Sequence, residues 1–261
     1  MKIYTKESLI AELKKISKQG WIKNRRKNNQ GGIGNTLVDL LGISENNLPI
    51  PNAAEWELKT QRIDTTSLTT LFHIEPSPRA LKFVPKILLP HFGWNHSEAG
   101  IKYSENEMSF RQTIHGNSHS DRGFIVNIDR KTERIFISFD KDKVDPRHEE
   151  WLNNVRKNIG LSDLSPNPYW GFNDLSNKVG TKLLNCFYVQ AEVKKENGEE
   201  YYHYSNVLML QKFSFENFLI ELEKGNILVD FDARSGHNHG TKFRLRQNRF
   251  PNLYETNKII I

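Results

Sequence analysis

The segment Pro51-Asn-Ala-Ala-Glu-Trp-Glu-Leu-Lys-Thr-Gln-Arg62 is the most informative part of the chain. Its residues alternate as in a β-strand, where side chains two positions apart point to the same face. Glu55, Glu57 and Lys59 therefore share one face. Trp56 and Leu58 share the other, which a hydrophobic core would cover. The segment predicts a strand over 55–61 with one apolar face and one charged face.

Two carboxylates and an ammonium in a row are costly to bury unless something binds between them. A divalent cation meets that need, and Mg²⁺ prefers hard carboxylate oxygens while keeping several of its waters. One such water can act as a nucleophile, with the lysine stabilising developing negative charge. The alternative is an exposed edge strand with a charged outer face, which is common in proteins.

The bulk composition limits the class of protein. The chain has 261 residues, 37% of them hydrophobic and 26% charged, which is typical of a folded globular protein. No apolar run approaches the roughly 20 residues of a membrane span, and we expect no membrane partner. The single cysteine, Cys186, excludes an internal disulfide framework and indicates a reducing compartment, so we expect a cytoplasmic protein. A net charge of +6 favours a polyanionic partner.

The remaining chain reads as strands and helices without regular alternation, which predicts a mixed β-sheet flanked by helices, an α/β fold. Residues 63–122 contain several prolines and read as loop-rich, and a polar insert follows at about 141–171. The predicted helices are 5–18, 35–41 and 214–224, and the further predicted strands are 124–129, 134–140, 186–194, 201–211, 227–233 and 241–247.

Several motifs occur in a fixed order along the chain. Gly32-Ile-Gly-Asn-Thr36 opens a helix, a proline-containing connection follows, and the spacing Asn52-x4-Glu57-x-Lys59 comes next. Further downstream stand Ser67-Leu-Thr-Thr-Leu-Phe72, Pro78-Arg79, Gln112-Thr-Ile-His-Gly-Asn117 and His237-Asn-His-Gly-Thr-Lys-Phe-Arg244. In this order they resemble the MvaI/BcnI family of restriction endonucleases, which are related to the mismatch-repair nickase MutH. The resemblance covers most of the chain and leaves an insert at about 141–169 unplaced.

The resemblance implies a PD-(D/E)xK nuclease: a restriction-endonuclease-like fold of one domain with two lobes around a DNA cleft. The catalytic lobe would comprise about 1–75 and the central strands, and the recognition lobe about 76–122 and 212–261. The implied function is that of a type II restriction endonuclease, which hydrolyses phosphodiester bonds in a short specific duplex with Mg²⁺ as cofactor. It further implies GC-rich targets, a monomer that nicks one strand per binding event, and a cognate DNA methyltransferase.

Two other functions stay open from the sequence. One is a MutH-like nicking enzyme, and the other is a sequence-specific DNA-binding protein with impaired catalysis. The nicking enzyme would use the same chemistry. The DNA-binding protein is motivated by departures from the family pattern: Asn52 stands where the first acid is expected, and Val38 stands where the preceding helix carries a glutamate. Asp39 is one residue on, about 100° around a helix.

Matching position by position assigns Glu57 and Lys59 to the E and K of the signature. Three explanations account for Asn52: Glu55 takes over its role, Asn52 is an engineered Asp→Asn change, or the protein binds DNA without cleaving it. We favour the first two. The expected catalytic residues are thus Glu57, Lys59, Glu55 and Asn52, of which Glu57, Asn52 and Glu55 would hold the metal.

The C-terminal segment 234–246 concentrates hydrogen-bond donors suited to base edges, since arginine fits O6 and N7 of guanine. The resemblance implies base recognition by His237, His239 and Arg244, and we add Arg234 and Arg246 as DNA-binding candidates. The alternative is that these are polar turn residues. A zinc site is disfavoured because no third and fourth ligand stand near the His-x-His pair.

The loop 21–27 carries basic residues beside Trp21, and we take Lys23, Arg25 and Arg26 as candidates for positioning phosphates. A solvated basic loop is the alternative. The glycines at 31, 32 and 34 lack the lysine of a Walker loop, which argues against ATP binding. His115 is a further candidate for a DNA contact or a proton relay, and the favoured alternative is a structural role in its loop.

Overall fold

A computed structural model describes residues 4–26, 32–43, 56–63, 65, 67–160 and 164–261. Within them the α-helices are α1 (Lys6–Lys18), α2 (Gly32–Leu41), α3 (Leu89–Phe92), α4 (Glu149–Ile159), α5 (Phe172–Leu183) and α6 (Phe215–Glu223). The strands are β1 (Ile22–Lys23), β2 (Glu57–Arg62), β3 (Leu68–His73), β4 (Trp94–Asn95), β5 (Met108–Ile114), β6 (Arg122–Asp129), β7 (Arg134–Val144), β8 (Tyr169–Gly171), β9 (Asn185–Glu196), β10 (Glu199–Phe213), β11 (Ile227–Arg234), β12 (His237–Asn238), β13 (Lys242–Arg246) and β14 (Tyr254–Ile259).

The α/β class is confirmed, as are the predicted helices and the two predicted hairpins, β6–β7 and β9–β10. Helix α1 begins after Thr5, whose side chain accepts a hydrogen bond from the Ser8 backbone as a capping box. Helix α6 begins after Ser214, whose Oγ accepts a hydrogen bond from the Asn217 backbone at 3.2 Å.

The prediction of a loop-rich segment over 63–122 missed three strands of the largest described sheet, β3, β4 and β5. The prolines and turn residues that lie between these strands led us to predict loops for the whole segment. Strand β5 still alternates as a half-buried strand should: Phe110, Gln112 and Ile114 are buried, and Arg111 is exposed.

The chain divides into two compact units, and the first comprises Met1–Ser67, Asn177–Asn217 and Phe250–Ile261. Its sheet has the order β1-β10-β9-β2, with β14 also paired to β10, and β2 runs parallel to β9. Helices α1 and α2 supply apolar residues to a core on one face of this sheet. The core residues include Leu9, Leu13, Ile16, Ile33, Leu37, Leu41, Trp56, Leu58, Phe187, Val189 and Tyr204.

The second unit comprises Leu68–Ser176 and Phe218–Arg249. Its larger sheet has the order β3-β13-β11-β5-β4, with β12 on β11, and β6-β7-β8 form a smaller sheet. Aromatic residues fill its interior, and Phe110 makes edge contacts to both Phe124 and Phe231 at 5.7 Å between ring centroids. The predicted insert contributes α4, whose Trp151 donates a hydrogen bond to the Phe92 carbonyl at 3.0 Å.

The boundaries of the two compact units differ from the boundaries that we predicted for the catalytic and recognition lobes. Strand β14, which we assigned to the recognition lobe, pairs with β10 in the first unit. The lobes are a functional division, and they and the cleft stay predictions. In the described part of the chain, no helix has the length and apolar character that a membrane crossing requires.

Candidate functional site

Glu57 and Lys59 lie on β2, as the alternation predicts. Trp56 and Leu58 anchor the strand in the core beneath α1 and α2, so the charged residues take the opposite face. Glu57 is only 1% exposed, and the Lys59 Nζ lies 3.3 Å from its Oε1. Because neighbouring residues on parallel strands keep register, Glu57 stands opposite Cys186 and Lys59 opposite Tyr188 of β9. The predicted pair is therefore brought together on one face.

The surroundings of the Glu57 carboxylate are apolar and aromatic. Cys186 is fully buried, and burial is the main cause that raises the pKa of its thiol above the usual range. Tyr254 is buried, and burial together with the negative charge of Glu57 raises the pKa of its phenol. Both groups stay protonated at neutral pH. Water is largely excluded there, so a charge in this position interacts strongly with its neighbours.

A polar network continues along the same face and was not foreseen from the sequence. The Tyr188 hydroxyl donates to Oε1 of Gln61, which also accepts a hydrogen bond from Gln190 Nε2 at 3.2 Å. Asn206 Nδ2 in turn donates to Gln190 Oε1 at 2.6 Å. Gln61 follows Lys59 by two residues, so the period of a strand alone indicates that it shares this face.

Asn52 and Glu55, the other two predicted catalytic residues, lie outside the described residues. Helix α2 adds no carboxylate beside Glu57 from its described positions: Val38 packs against the core, and Asp39 forms an ion pair with Arg26. Among the residues that the structure describes, no three His, Cys, Asp or Glu side chains are grouped as metal ligands. Glu57 is the one carboxylate of the predicted metal site that the structure describes.

The glycine motif at the start of α2 serves packing. A Cβ at Gly32 would lie 2.6 Å from the Tyr202 hydroxyl, so the close approach of the helix requires glycine there. The Thr36 Oγ1 accepts a hydrogen bond from the Arg25 backbone at 3.2 Å and thereby holds the basic loop against the helix. These contacts account for the motif without a bound nucleotide.

The candidate phosphate-positioning residues of the loop differ in their surroundings. Lys23 pairs with Glu199 at 2.8 Å, and Arg25 is exposed. Arg26 donates to both carboxylate oxygens of Asp39, from Nη2 at 2.6 Å and from Nε at 3.1 Å. Arg26 thus has a structural partner, and its role toward DNA stays a prediction.

His237 on β12 and His239 just after it lie in the turn segment between β11 and β13, both exposed, with ring centroids 4.2 Å apart. Glu75, which the sequence did not single out, holds this turn. Its Oε1 accepts a hydrogen bond from the Thr241 backbone at 2.9 Å, and its Oε2 accepts one from Thr241 Oγ1 at 3.3 Å. Thr241 is buried at 1% exposure, so the contact fixes the turn at its base.

The predicted arginines lie in the same unit as these histidines. Arg244 donates to Asp230 Oδ2 at 3.4 Å, and Arg246 is exposed two residues further along β13. Arg234 donates to Glu107 Oε1 at 2.9 Å and lies over the Tyr103 ring at 4.5 Å. These contacts orient Arg244 and Arg234.

His115 follows β5 and is partly buried. Burial lowers the pKa of its imidazole, and the positive charge of Arg246 lowers it further, against an opposing hydrogen bond with the Gly225 backbone. The ring is therefore neutral at physiological pH, and it can accept as well as donate a hydrogen bond.

Known proteins were compared with this chain, including the segments with Glu57 and Lys59 and with the two histidines of the turn. The sequence model of the MvaI/BcnI restriction endonuclease family matches residues 10–254. A solved structure of the restriction endonuclease MvaI in complex with its cognate DNA is similar, with 25% identity, a TM-score of 0.74, and coverage of 99% of this chain and 100% of that one. MvaI without DNA gives 25% identity and a TM-score of 0.59, with full coverage of both chains. No curated protein matches.

The family match spans all but the first nine and the last seven residues of the chain. It includes the strand with Glu57 and Lys59 and the turn with His237 and His239. The chain therefore belongs to the MvaI/BcnI restriction endonuclease family and is a type II site-specific endonuclease.

Proposed function

We propose that this endonuclease hydrolyses phosphodiester bonds in a short specific duplex sequence with Mg²⁺, and that Glu57 and Lys59 carry the chemistry. The observation that supports the assignment is the 3.3 Å approach of Lys59 Nζ to the buried Glu57 carboxylate on one face of β2. The DNA complex of the similar enzyme MvaI makes duplex DNA the expected substrate.

The donor set suits a hard divalent cation. Glu57 offers a carboxylate in an apolar setting, and Asn52 and Glu55 of the same segment are the proposed further oxygen ligands. A bound Mg²⁺ supplies Lewis acidity and lowers the pKa of an attacking water. An amide oxygen at Asn52 carries no negative charge, so Glu55 is the stronger ligand of the two.

The chain's own residues position and neutralise charge. The apolar anchors Trp56 and Leu58 fix β2 in the core, so the Glu57 carboxylate is held in one orientation before substrate binds. The Lys59 ammonium sits where it can hold a water and stabilise the negative charge that develops on the phosphate. The pair acts as a unit because the two side chains share one face of one strand.

We assign sequence readout to the second unit. His237, His239, Arg244, Arg246 and Arg234 offer donors on one turn and its flanking strands, and His115 offers a neutral imidazole near Arg246. Lys23, Arg25 and Arg26 of the first unit are the proposed phosphate contacts, which add affinity without sequence information.

Further points belong to the proposal. From the family, the enzyme acts as a monomer that nicks one strand per binding event at a GC-rich target, and a cognate methyltransferase protects the host DNA. From the single cysteine, the enzyme is cytoplasmic.

The test is incubation of the purified protein with phage DNA in Mg²⁺ and, as a control, in EDTA. Discrete double-strand fragments that require Mg²⁺ support the proposal, and sequencing of the fragment ends gives the recognition site. Single-strand nicks confined to hemimethylated sites would indicate a MutH-like enzyme instead. Intact DNA with a specific gel shift would indicate impaired catalysis, and Asn52→Asp should then restore cleavage.

A further inference from the structure

The outer face of the larger sheet in the second unit carries an ordered set of charges. Strands β5, β11 and β13 point Phe110, Phe231 and Phe243 inward, so the alternate residues point outward. Those outward residues are Arg111, Thr113, Asp230, Asp232, Lys242, Arg244 and Arg246. Each of the two aspartates lies between two residues that contact it by a hydrogen bond or an ion pair.

Asp232 is the centre of the first group. Its Oδ1 lies 3.0 Å from Arg111 Nε, and its Oδ2 lies 3.2 Å from Lys242 Nζ. Burial by itself would raise the pKa of Asp232, but the hydrogen bond from Lys242 and the charges of Arg111 and His239 hold it below the ordinary value. The carboxylate is ionised at neutral pH and fixes both cations.

Arg111 keeps most of its surface open in spite of this ion pair, with 64% of its side chain exposed. Asp232 contacts the Nε, and among the described residues no hydrogen bond engages the two terminal nitrogens of Arg111. An arginine held in this way has lost much of its conformational freedom before it meets a ligand, which favours binding.

The same two residues line a recess of about 530 Å³ together with Tyr103, Arg234 and His239. His239 is one of the proposed base-reading residues, and its backbone N–H donates to the Asp232 carbonyl at 2.9 Å. Arg111 therefore lies within the proposed recognition surface, on a strand that the sequence did not reveal.

The chemistry of the pair discriminates between a base and a phosphate. Arginine donates to O6 and N7 of guanine, which carry no net charge, so an arginine held beside two aspartates complements the major-groove edge of guanine. A phosphate carries a negative charge, which the carboxylates of Asp232 and Asp230 repel.

We propose that Arg111 is a specificity-determining residue that contacts guanine in the major groove of the target, with Asp232 holding it in position. The inference rests on the proposed function, since it requires a specific duplex target.

The test compares binding of the variants to two duplexes of equal length, one with the sequence mapped from wild-type fragment ends and one scrambled. Binding is measured by fluorescence anisotropy with Ca²⁺ in place of Mg²⁺, to suppress cleavage. Arg111→Ala should weaken binding to the target about 10- to 100-fold, the loss of one bidentate contact, and leave binding to the scrambled duplex unchanged.

The matched control is Arg130→Ala, because Arg130 is also an exposed arginine paired with a carboxylate, Glu223, at 3.1 Å in the same unit. It should change neither affinity. An equal loss by Arg111→Ala on both duplexes would mark Arg111 as a phosphate contact and overturn the proposal, and so would the absence of any loss.

Asp232→Asn tests the positioning role. It should weaken binding to the target selectively, and the double variant should bind no more weakly than Arg111→Ala alone. A lower melting temperature without a change in selectivity would show that Asp232 is merely structural. A wild-type protein that cuts no specific sequence would refute the proposed function itself, whereas specific cleavage that is insensitive to Arg111→Ala refutes this inference alone.

Discussion

Glu57 is a carboxylate in a place where burial should penalise its charge. Taking an ionised group out of water costs several kcal/mol, and an ion pair offsets that cost in part. Lys59 supplies the partner from the same strand. Such an arrangement stabilises a fold less than apolar residues would, so its presence on a strand with two well-packed apolar anchors points to function.

The variant Glu57→Gln separates the role of Glu57 in catalysis from its effect on the stability of the fold. It removes the charge and keeps the shape, so cleavage should fall by at least about 100-fold. The melting temperature should change little, because the lost desolvation cost of Glu57 offsets the lost partner of Lys59, which is partly exposed to solvent. Cleavage rates and thermal unfolding of the same preparations measure both effects. The control is Glu12→Gln, which removes a surface partner of Lys15 and should leave cleavage intact. A large drop in melting temperature without loss of cleavage would contradict the assignment.

At the scale of elements, the turn between β11 and β13 depends on a residue from elsewhere in the chain. Glu75 accepts from the backbone and side chain of Thr241. The turn carries both histidines of the proposed readout, and flexible turns make poor recognition surfaces. Glu75 is thus a positioning residue for His237 and His239.

Glu75→Ala should therefore cost stability and selectivity together. The buried Thr241 N–H would lose its acceptor, which costs about 1–3 kcal/mol of the free energy of unfolding. Denaturant unfolding measures that loss, and competition between target and scrambled duplex measures selectivity. Glu223→Ala, which removes the exposed partner of Arg130, is the control. Unchanged selectivity in a destabilised Glu75→Ala protein would restrict Glu75 to a structural role.

An ion pair between Arg26 and Asp39 connects helix α2 to the basic loop. We expect this pair to make the free energy of unfolding depend on pH. The hydrogen bond from Arg26 lowers the pKa of Asp39 below its ordinary value. A depressed folded-state pKa adds stability above the unfolded-state value of about 3.9, and the contribution is lost as the pH falls through the folded value.

The expected size is about 1 kcal/mol or less, because both side chains are partly exposed to solvent. The free energy of unfolding of wild type and Asp39→Asn, measured from pH 2 to 7, should differ at neutral pH and converge below about pH 4. A constant difference across that range would show that Arg26 does not perturb Asp39.

Across the whole molecule, the sequence predicted correctly those structural features that depend on residues close together in the chain. The alternation at 55–61 gave the faces of Glu57 and Trp56, and the turn chemistry gave both hairpins. The resemblance gave the family, which the match over residues 10–254 confirms. These features depend on neighbours along the chain.

Features set by distant partners were missed. Strand β14 has an almost wholly exposed sequence and exists because it pairs with β10. Arg111 and Asp232 are adjacent only through the pairing of β5 with β11. Glu75 and Thr241 are in contact although they are 166 residues apart in the sequence. Spacing along the chain carries no signal for such contacts.

The accessibility of the Cys186 thiol can be used to follow the unfolding of the first unit. Cys186 is fully buried near the start of β9, close to Glu57 and Tyr254, and its thiol has a raised pKa. Because the thiolate is the reactive form, iodoacetamide should alkylate it only after unfolding. Mass spectrometry across a denaturant series should give the same midpoint as circular dichroism. Alkylation in native buffer at the rate of a free thiol would mean that the unit opens locally.

We propose that Lys59, together with Glu57, performs hydrolysis, whereas other residues recognise the target. This is tested by measuring cleavage and binding of the mapped target by Lys59→Ala. Lys15→Ala, which alters another lysine paired with a glutamate, is the control. We expect Lys59→Ala to lose cleavage by at least about 100-fold and to retain specific binding. Cleavage at the wild-type rate by Lys59→Ala would refute the catalytic assignment of Lys59.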